Sequence, residues 1–137
     1  MDKLSCVLLV DDDTTTNFVN QMLLEDLAVT DLVLVAHNGR QALEMIKGQC
    51  DRGCCPELIL LDINMPVMNG FEFLEAYERL AFGHKQSVVI VALTTSMNPG
   101  DMDRLNTFST QGYLNKPLTR EMVASILQQH FRRELPG

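Results

Sequence analysis

The sequence predicts an α/β fold with a mostly parallel sheet covered by helices on both faces. Three observations predict it. Five short apolar runs alternate with five segments of helical character, the pattern of repeated βα units. The 137 residues suffice for one domain with a sizeable core and are too few for two ordinary ones. No internal repeat, linker or low-complexity stretch interrupts the alternation.

Ser5–Val10 (S-C-V-L-L-V) reads as the first buried strand. A helix follows from Thr14 to about Leu27, capped by Asp13 or Thr14, with Phe18, Val19, Met22 and Leu23 on its predicted inner face at i, i+3, i+4 spacing. Leu32–Ala36 is the second strand and Asn38-Gly39 a turn. The second helix spans Arg40–Lys47, with Ala42, Leu43 and Ile46 as its apolar side and Gly48 as its stop. A polar, cysteine-rich loop runs from Gln49 to Pro56. Leu58–Ile63 is the third strand and carries an embedded aspartate, Asp62. Met65–Gly70 breaks the chain before a third helix over Phe71–Ala81. Val88–Leu93 is the fourth strand; Asn98-Pro99-Gly100 opens a loop to a short helix over Asp101–Phe108. Gly112–Asn115 is the fifth strand, ended by Lys116-Pro117. The last helix spans Thr119–Phe131, with Thr119 as N-cap and Glu121 favourably placed in its first turn. The connections are expected to be right-handed. The residues after Phe131 are too few for an output domain, so a single domain over 1–137 is expected, with its core over about 4–131.

Composition narrows the function classes. Apolar residues make up 46% and charged residues 21%, a soluble globular balance. The formal net charge of −7 argues against direct nucleic-acid binding, which runs on a basic face. Apolar runs such as Val88–Leu93 are far short of a bilayer span, and the start Met1-Asp2-Lys3 has no signal-peptide character. A cytoplasmic location without membrane insertion is expected. Cys6, Cys50, Cys54 and Cys55 do not complete a zinc set with His37, His84 and His130, and are read as free thiols in a reducing compartment.

In an open α/β sheet, ligands bind beyond the carboxyl ends of the strands. Four polar features fall there: Asp11-Asp12-Asp13, Asp62, Thr94-Thr95-Ser96 and Lys116. Singly, each has a bland reading: a helix cap, solvated loop charge, a β-residue, a surface lysine. Jointly they suggest chemistry. Clustered carboxylates repel, a bound cation relieves the repulsion, and a hard oxygen set suits Mg²⁺. The lysine and the threonine hydroxyl are the donors that phosphoryl oxygens need.

The segments V-L-L-V-D-D-D (7–13), L-I-L-L-D-I-N-M-P-V-M-N-G (58–70), V-I-V-A-L-T-T-S (89–96) and G-Y-L-N-K-P-L-T (112–119) resemble, in order and spacing, the response-regulator receiver family, including its stand-alone chemotaxis-type members. The resemblance implies a flavodoxin-like (βα)5 fold with strand order 2-1-3-4-5. It implies Asp62 as phospho-acceptor, with Thr94 and Lys116 completing the reacting site. It implies Mg²⁺ as cofactor, held by Asp12 and Asp62 directly, by Asp11 mainly through water, and by the backbone carbonyl of Asn64. Thr94 and Tyr113 correspond to the switch pair, and a cis bond is implied at Lys116-Pro117. Asp13 falls one place beyond the family's acidic pair and is assigned to helix capping. Thr95 stands where a smaller residue is common, and Asn64 and Ser96 occupy positions that help set the phosphoryl lifetime. The implied partners are a sensor histidine kinase or histidine phosphotransfer protein and a downstream protein target. The chain would be a phospho-acceptor assisting its own phosphorylation and dephosphorylation, not an enzyme in the usual sense.

Two other classes compete. A phosphorylation-independent, receiver-like interaction module would lack part of the acidic pair, Asp62, Thr94 and Lys116, all of which are present. An aspartate-nucleophile phosphatase would show D-x-D-x-[TV], but here Asp62-Ile63-Asn64 lacks the second carboxylate. No G-x-G-x-x-G or P-loop supports nucleotide binding.

Overall fold

Strands form where β-branched and leucine side chains run unbroken. In the computed structural model, which describes residues 3–63, 65, 69–79, 88–94, 99–105, 107–108 and 112–132, they are β1 (Val7–Val10), β2 (Val33–Ala36), β3 (Leu58–Asp62), β4 (Val89–Thr94) and β5 (Tyr113–Asn115). The helices are α1 (Thr14–Asp26), α2 (Gly39–Asp51), α3 (Gly70–Glu78), α4 (Pro99–Leu105) and α5 (Arg120–Ile126), the last continuing as a π-helical segment over Leu127–Phe131. All strand pairs are parallel and the order is β2-β1-β3-β4-β5, as the resemblance implies. The order reverses direction at β1, which leaves a crevice between the carboxyl ends of β1 and β3.

Alternation along each strand splits the core into two layers. Leu8, Val10, Ile59, Leu61, Ile90 and Ala92 point to the face covered by α2 and α3, where they meet Ala42, Ile46, Phe73 and Leu74. Val7, Leu9, Leu58, Leu60, Val89, Val91 and Leu93 point to the other face and meet Leu24, Val123, Ile126 and Leu127 of α1 and the α5 segment. With both faces covered, β1, β3 and β4 are buried at every position. The edge strand β5 is short and mostly exposed, a form that discourages further strand pairing.

Helix α1 departs from its predicted facing. Its buried residues are Asn17, Asn20 and Leu24, while Phe18 is 62% exposed, Val19 53% and Met22 46%. Leu23 and Leu27 still pack against the core. The entry angle decides this. Asp13 caps the helix, accepting from the Thr15 N–H at 3.0 Å and the Thr16 hydroxyl at 2.8 Å. That fixes where the first turn begins, and with it which residues the rotation of about 100° per residue turns towards the sheet.

Helix α2 also differs. Gly48 does not stop it; the helix runs on to Asp51, and a Cβ at Gly48 would meet nothing within 4 Å. Glycine there weakens the helix by about 1 kcal/mol without breaking it. The chain then turns through Gly53, whose φ of +76° suits a residue with no Cβ. This turn brings Cys55 back to Cys50, and the two form a disulfide, contrary to the free-thiol expectation; Cys6 and Cys54 are free. Burial, then the neighbouring Cys54 and Glu57, push the Cys6 thiol up to about 11, so it is a poor nucleophile. Native protein in non-reducing buffer is therefore expected to be alkylated by iodoacetamide at Cys54 alone, with Cys6 added on denaturation and all four cysteines only after reduction. Peptide masses check this, and native labelling of Cys50 or Cys55 would contradict the bridge. The predicted end of the third helix at Ala81, and His84, lie outside the described residues.

Candidate functional site

Parallel pairing brings four strand ends to one edge of the sheet. Val10 lies opposite Leu61 and Leu93 opposite Asp62, so Asp11, Asp62 and Thr94 follow one another across the edge. Thr94 lies opposite Asn115, and the Lys116 N–H donates to the Thr94 carbonyl at 2.7 Å. That bond carries the lysine from the edge strand back over the carboxylates. The Lys116–Pro117 peptide is cis.

Asp11, Asp62 and Thr94 are buried, and Asp12 is exposed. Carboxylate oxygens of Asp11, Asp12 and Asp62 lie within 4.8 Å of one another. Lys116 Nζ lies 2.5 Å from Asp11 Oδ2 and 3.5 Å from Asp62 Oδ1. Burial pulls the Lys116 ammonium pKa down, but the Asp11 hydrogen bond and the charges of Asp62 and Asp11 outweigh it, and the value stands above the ordinary 10.5. The stabilisation is thus fully present below the ordinary lysine value and is lost as pH rises through the raised one. Asp13 behaves in the opposite sense. Its bonds from Thr16 and Thr15 hold its carboxyl below 3.8, so its support for α1 is lost as pH falls through that lowered value.

The fourth side chain at this edge is Asn17. Its Nδ2 donates to the Asp11 carbonyl at 2.8 Å, and its Oδ1 is buried with no hydrogen-bond partner among the described residues. An unmet buried acceptor costs about 1–3 kcal/mol. Sequence reading passed over Asn17 because the pattern of neighbouring apolar residues claimed the helix. The signal was present: asparagines at positions 17 and 20, in the middle of a helix, where they weaken helical propensity.

Gly70 was likewise read only as part of a chain break. The N-terminus of α3 is fixed by a capping box between Asn69 and Glu72. The Gly70 N–H donates to the Ile63 carbonyl at 2.9 Å. A Cβ on Gly70 would lie 2.7 Å from Ile63 Cα and 3.0 Å from the Asp62 carbonyl oxygen. The helix therefore abuts the backbone that carries Asp62.

Tyr113 is 39% exposed on β5, and its hydroxyl donates to Met102 Sδ of α4 at 3.6 Å. A cleft of about 380 Å³ opens beside the site, lined by Thr15, Thr16, Val19 and Asn20 of α1 and by Lys116, Pro117 and Leu118. Asn64, Thr95 and Ser96 lie outside the described residues. The arrangement gathers three carboxylates, two of them paired with the Lys116 ammonium. Repulsion among the carboxylates and the hardness of their oxygens suit a divalent cation such as Mg²⁺, and the acidic cluster can hold one. Among the described residues, no helix is long and apolar enough to cross a membrane.

Comparison with known proteins agrees. Residues 7–128 match the family model described as the response regulator receiver domain. The chain is similar to the two-component response regulator ORR41 of Oryza sativa subsp. japonica, with 32% identity over 91% of this chain and 93% of that protein. It is also 30% identical, over 93% of its length, to part of the sensor histidine kinase CheAY of Helicobacter pylori, but spans only 15% of that protein. The crystal structure of a two-component response regulator from Cytophaga hutchinsonii superposes with a TM-score of 0.86 at 25% identity, covering 96% of this chain and all (100%) of that one. The strand order, the acidic edge with its lysine, and the family match over most of the chain lead to one conclusion: this chain belongs to the response regulator receiver domain family of two-component systems.

Proposed function

We propose that the chain accepts a phosphoryl group on Asp62 from a phosphohistidine donor and uses the modification to switch protein–protein contacts. The observation that carries this reading is the placement of Asp62. It is a buried carboxylate at the carboxyl end of a central strand, with Lys116 Nζ 3.5 Å from Oδ1 and two further carboxylates beside it. A carboxylate oxygen of Asp62 attacks phosphorus, the P–N bond of the donor breaks, and the electron pair returns to the imidazole. Lys116 stabilises the phosphoryl oxygens as they arrive. Asp12 and Asp62 would hold a Mg²⁺ ion directly and Asp11 mainly through water, with the Asn64 carbonyl as the further ligand that the receiver resemblance implies, and the ion would supply charge neutralisation at the entering group. Asp11 is the carboxylate already engaged by Lys116, which suits it to the indirect role. Water later hydrolyses the acyl phosphate.

Incubation with acetyl phosphate and Mg²⁺ is expected to add one phosphoryl group by intact mass, and chelation of the metal to prevent it. The tryptic stretch 53–79 contains a single aspartate, Asp62, so borohydride trapping followed by peptide mapping locates the acceptor. Label found outside that stretch would refute the assignment. Asp12→Ala is expected to weaken both Mg²⁺ binding and labelling more than Asp13→Ala, because Asp13 is occupied with the cap of α1. The reverse order would mean that the acidic pair is misregistered by one residue.

Output leaves by a different surface. Phosphorylation adds roughly −1.5 to −2 charges and three acceptor oxygens. The Thr94 hydroxyl turns towards them and Tyr113 follows, altering the face made by α4, β5 and α5. Thr94→Ala is then expected to leave Asp62 labelling largely intact while removing the beryllofluoride-induced amide shifts around Tyr113. Shifts matching wild type would show that the coupling bypasses Thr94. The donor, a histidine kinase or phosphotransfer protein in the cytoplasm, docks on the apolar outer face of α1, where Phe18, Val19 and Met22 stand exposed next to the cleft that ends at Lys116.

A further inference from the structure

Asp11 is held at every polar group it owns. Its N–H donates to the Ala36 carbonyl at 3.1 Å and its carbonyl accepts from Asn17 Nδ2 at 2.8 Å. Its Oδ1 accepts from the Asp13 N–H at 2.9 Å, and its Oδ2 from Lys116. The carbonyl that Asn17 holds belongs to the Asp11–Asp12 peptide. That unit is planar and stiff, so fixing its oxygen fixes the direction in which the chain delivers Asp12. Asp12 itself is exposed and gains its orientation from this backbone.

Asn17 is only 2% exposed and its Oδ1 lacks a partner among the described residues. Leucine has a similar volume and would suit an inner face on which Leu24 is buried and Leu23 and Leu27 pack. A buried amide with one unmet acceptor breaks the local packing rule, and such breaks concentrate at functional sites. We propose that Asn17 is a positioning residue for the divalent-cation site: by holding the Asp11 carbonyl, it sets the separation and direction of the Asp11 and Asp12 carboxylates relative to Asp62. This rests on the reading that those three carboxylates hold a cation.

Amide chemical shifts followed through a titration with MgCl₂ alone, on the whole chain, test it. Wild type is expected to bind, and Asn17→Leu to bind about tenfold more weakly, the usual scale for losing a group that orients a metal ligand. The melting temperature of Asn17→Leu is expected to stay near that of wild type, because removal of the unmet Oδ1 acceptor is offset by an Asp11 carbonyl left without its donor. Leu24→Val, which loosens the same helix without touching Asp11, is expected to melt lower yet bind Mg²⁺ like wild type. Asn17→Ala serves if the leucine variant does not fold, with the same expected loss of affinity. Unchanged affinity in a folded Asn17 variant, or an equal loss in Leu24→Val, overturns the positioning role alone. No Mg²⁺ binding by wild type overturns the cation reading and this proposal together.

Discussion

Asp62→Asn is expected to take up no measurable phosphoryl group from acetyl phosphate, a drop of roughly a thousandfold or more, while melting slightly higher than wild type. The amide has nearly the shape of the carboxylate but lacks the nucleophilic oxygen pair, so the effect falls on chemistry and not on folding. The rise in stability follows from the charges. Three carboxylates share a region where their oxygens lie within 4.8 Å, with Lys116 bound mainly to Asp11. At an effective dielectric of about 20, repulsion between two such charges is on the order of 3 kcal/mol before screening. The longer 3.5 Å contact between Lys116 and Asp62 offsets part of that. A net gain of about 1 kcal/mol, or about 3 °C, is expected without Mg²⁺, and it should shrink as Mg²⁺ is added to both proteins. Intact mass and thermal melts monitored by circular dichroism measure the two effects. Labelling at the wild-type rate would remove Asp62 from the acceptor role; a fall in melting temperature would mean that the carboxylate is a net structural partner.

Gly70→Ala is expected to destabilise the fold by about 2 kcal/mol and to slow phosphorylation by about tenfold or more. Elsewhere in a helix the same change is favourable by close to 1 kcal/mol, because alanine restricts the unfolded chain. Here the new methyl would lie 2.7 Å from both Ile63 Cα and Ile63 Cδ1. A side-chain tip can swing away, but Ile63 Cα cannot without taking the Asp62–Ile63 peptide with it. Overpacking of this kind costs about 1–3 kcal/mol, sometimes more, which outweighs the propensity gain. The displacement also reaches Asp62, the proposed nucleophile, and misplacement by about 1 Å can cost on the order of a hundredfold in rate. Urea unfolding and the initial rate of acetyl phosphate labelling separate the two effects. An alanine variant as stable and as reactive as wild type would show that α3 can withdraw without disturbing the strand it abuts.

The sheet was legible because strands buried on both faces leave long apolar runs, and the strand-end polar residues interrupt them at the places where the chain leaves the core. Asp62 alone, directly after Leu58–Leu61, reads as a helix cap; it stands out jointly with Asp11–Asp13, Thr94 and Lys116 at the other strand ends. The strand order and the residue roles came from the receiver resemblance and not from periodicity. The facing of α1 was misread because its apolar residues outnumber its inner positions. Phe18, Val19 and Met22 look like core in any helical projection, yet the Asp13 cap and the Asn17 bond to Asp11 orient the helix otherwise. The extension of α2 through Gly48 was missed because a glycine stop and a tolerated glycine look alike until the space around the position is known. Contacts made by backbone, such as Gly70 against Ile63, leave no periodic trace at all.

On the proposed reading, the grip of Lys116 on Asp11 would set a threshold for switching. This ammonium already has a close partner, so a phosphoryl group arriving at Asp62, as proposed, would recruit an engaged cation. Only the difference between the new attachment and the surrendered one can drive a change of shape. A loose resting pair would let the cation follow small fluctuations of charge and blur the two states; a much tighter one would hold it back even from a doubly charged oxygen cluster. The lysine would then act as a detent, a catch that yields to one kind of push. Weakening its resting hold, without touching Asp62, would lower the force needed to trip it and leave the protein partly switched on in the absence of any signal.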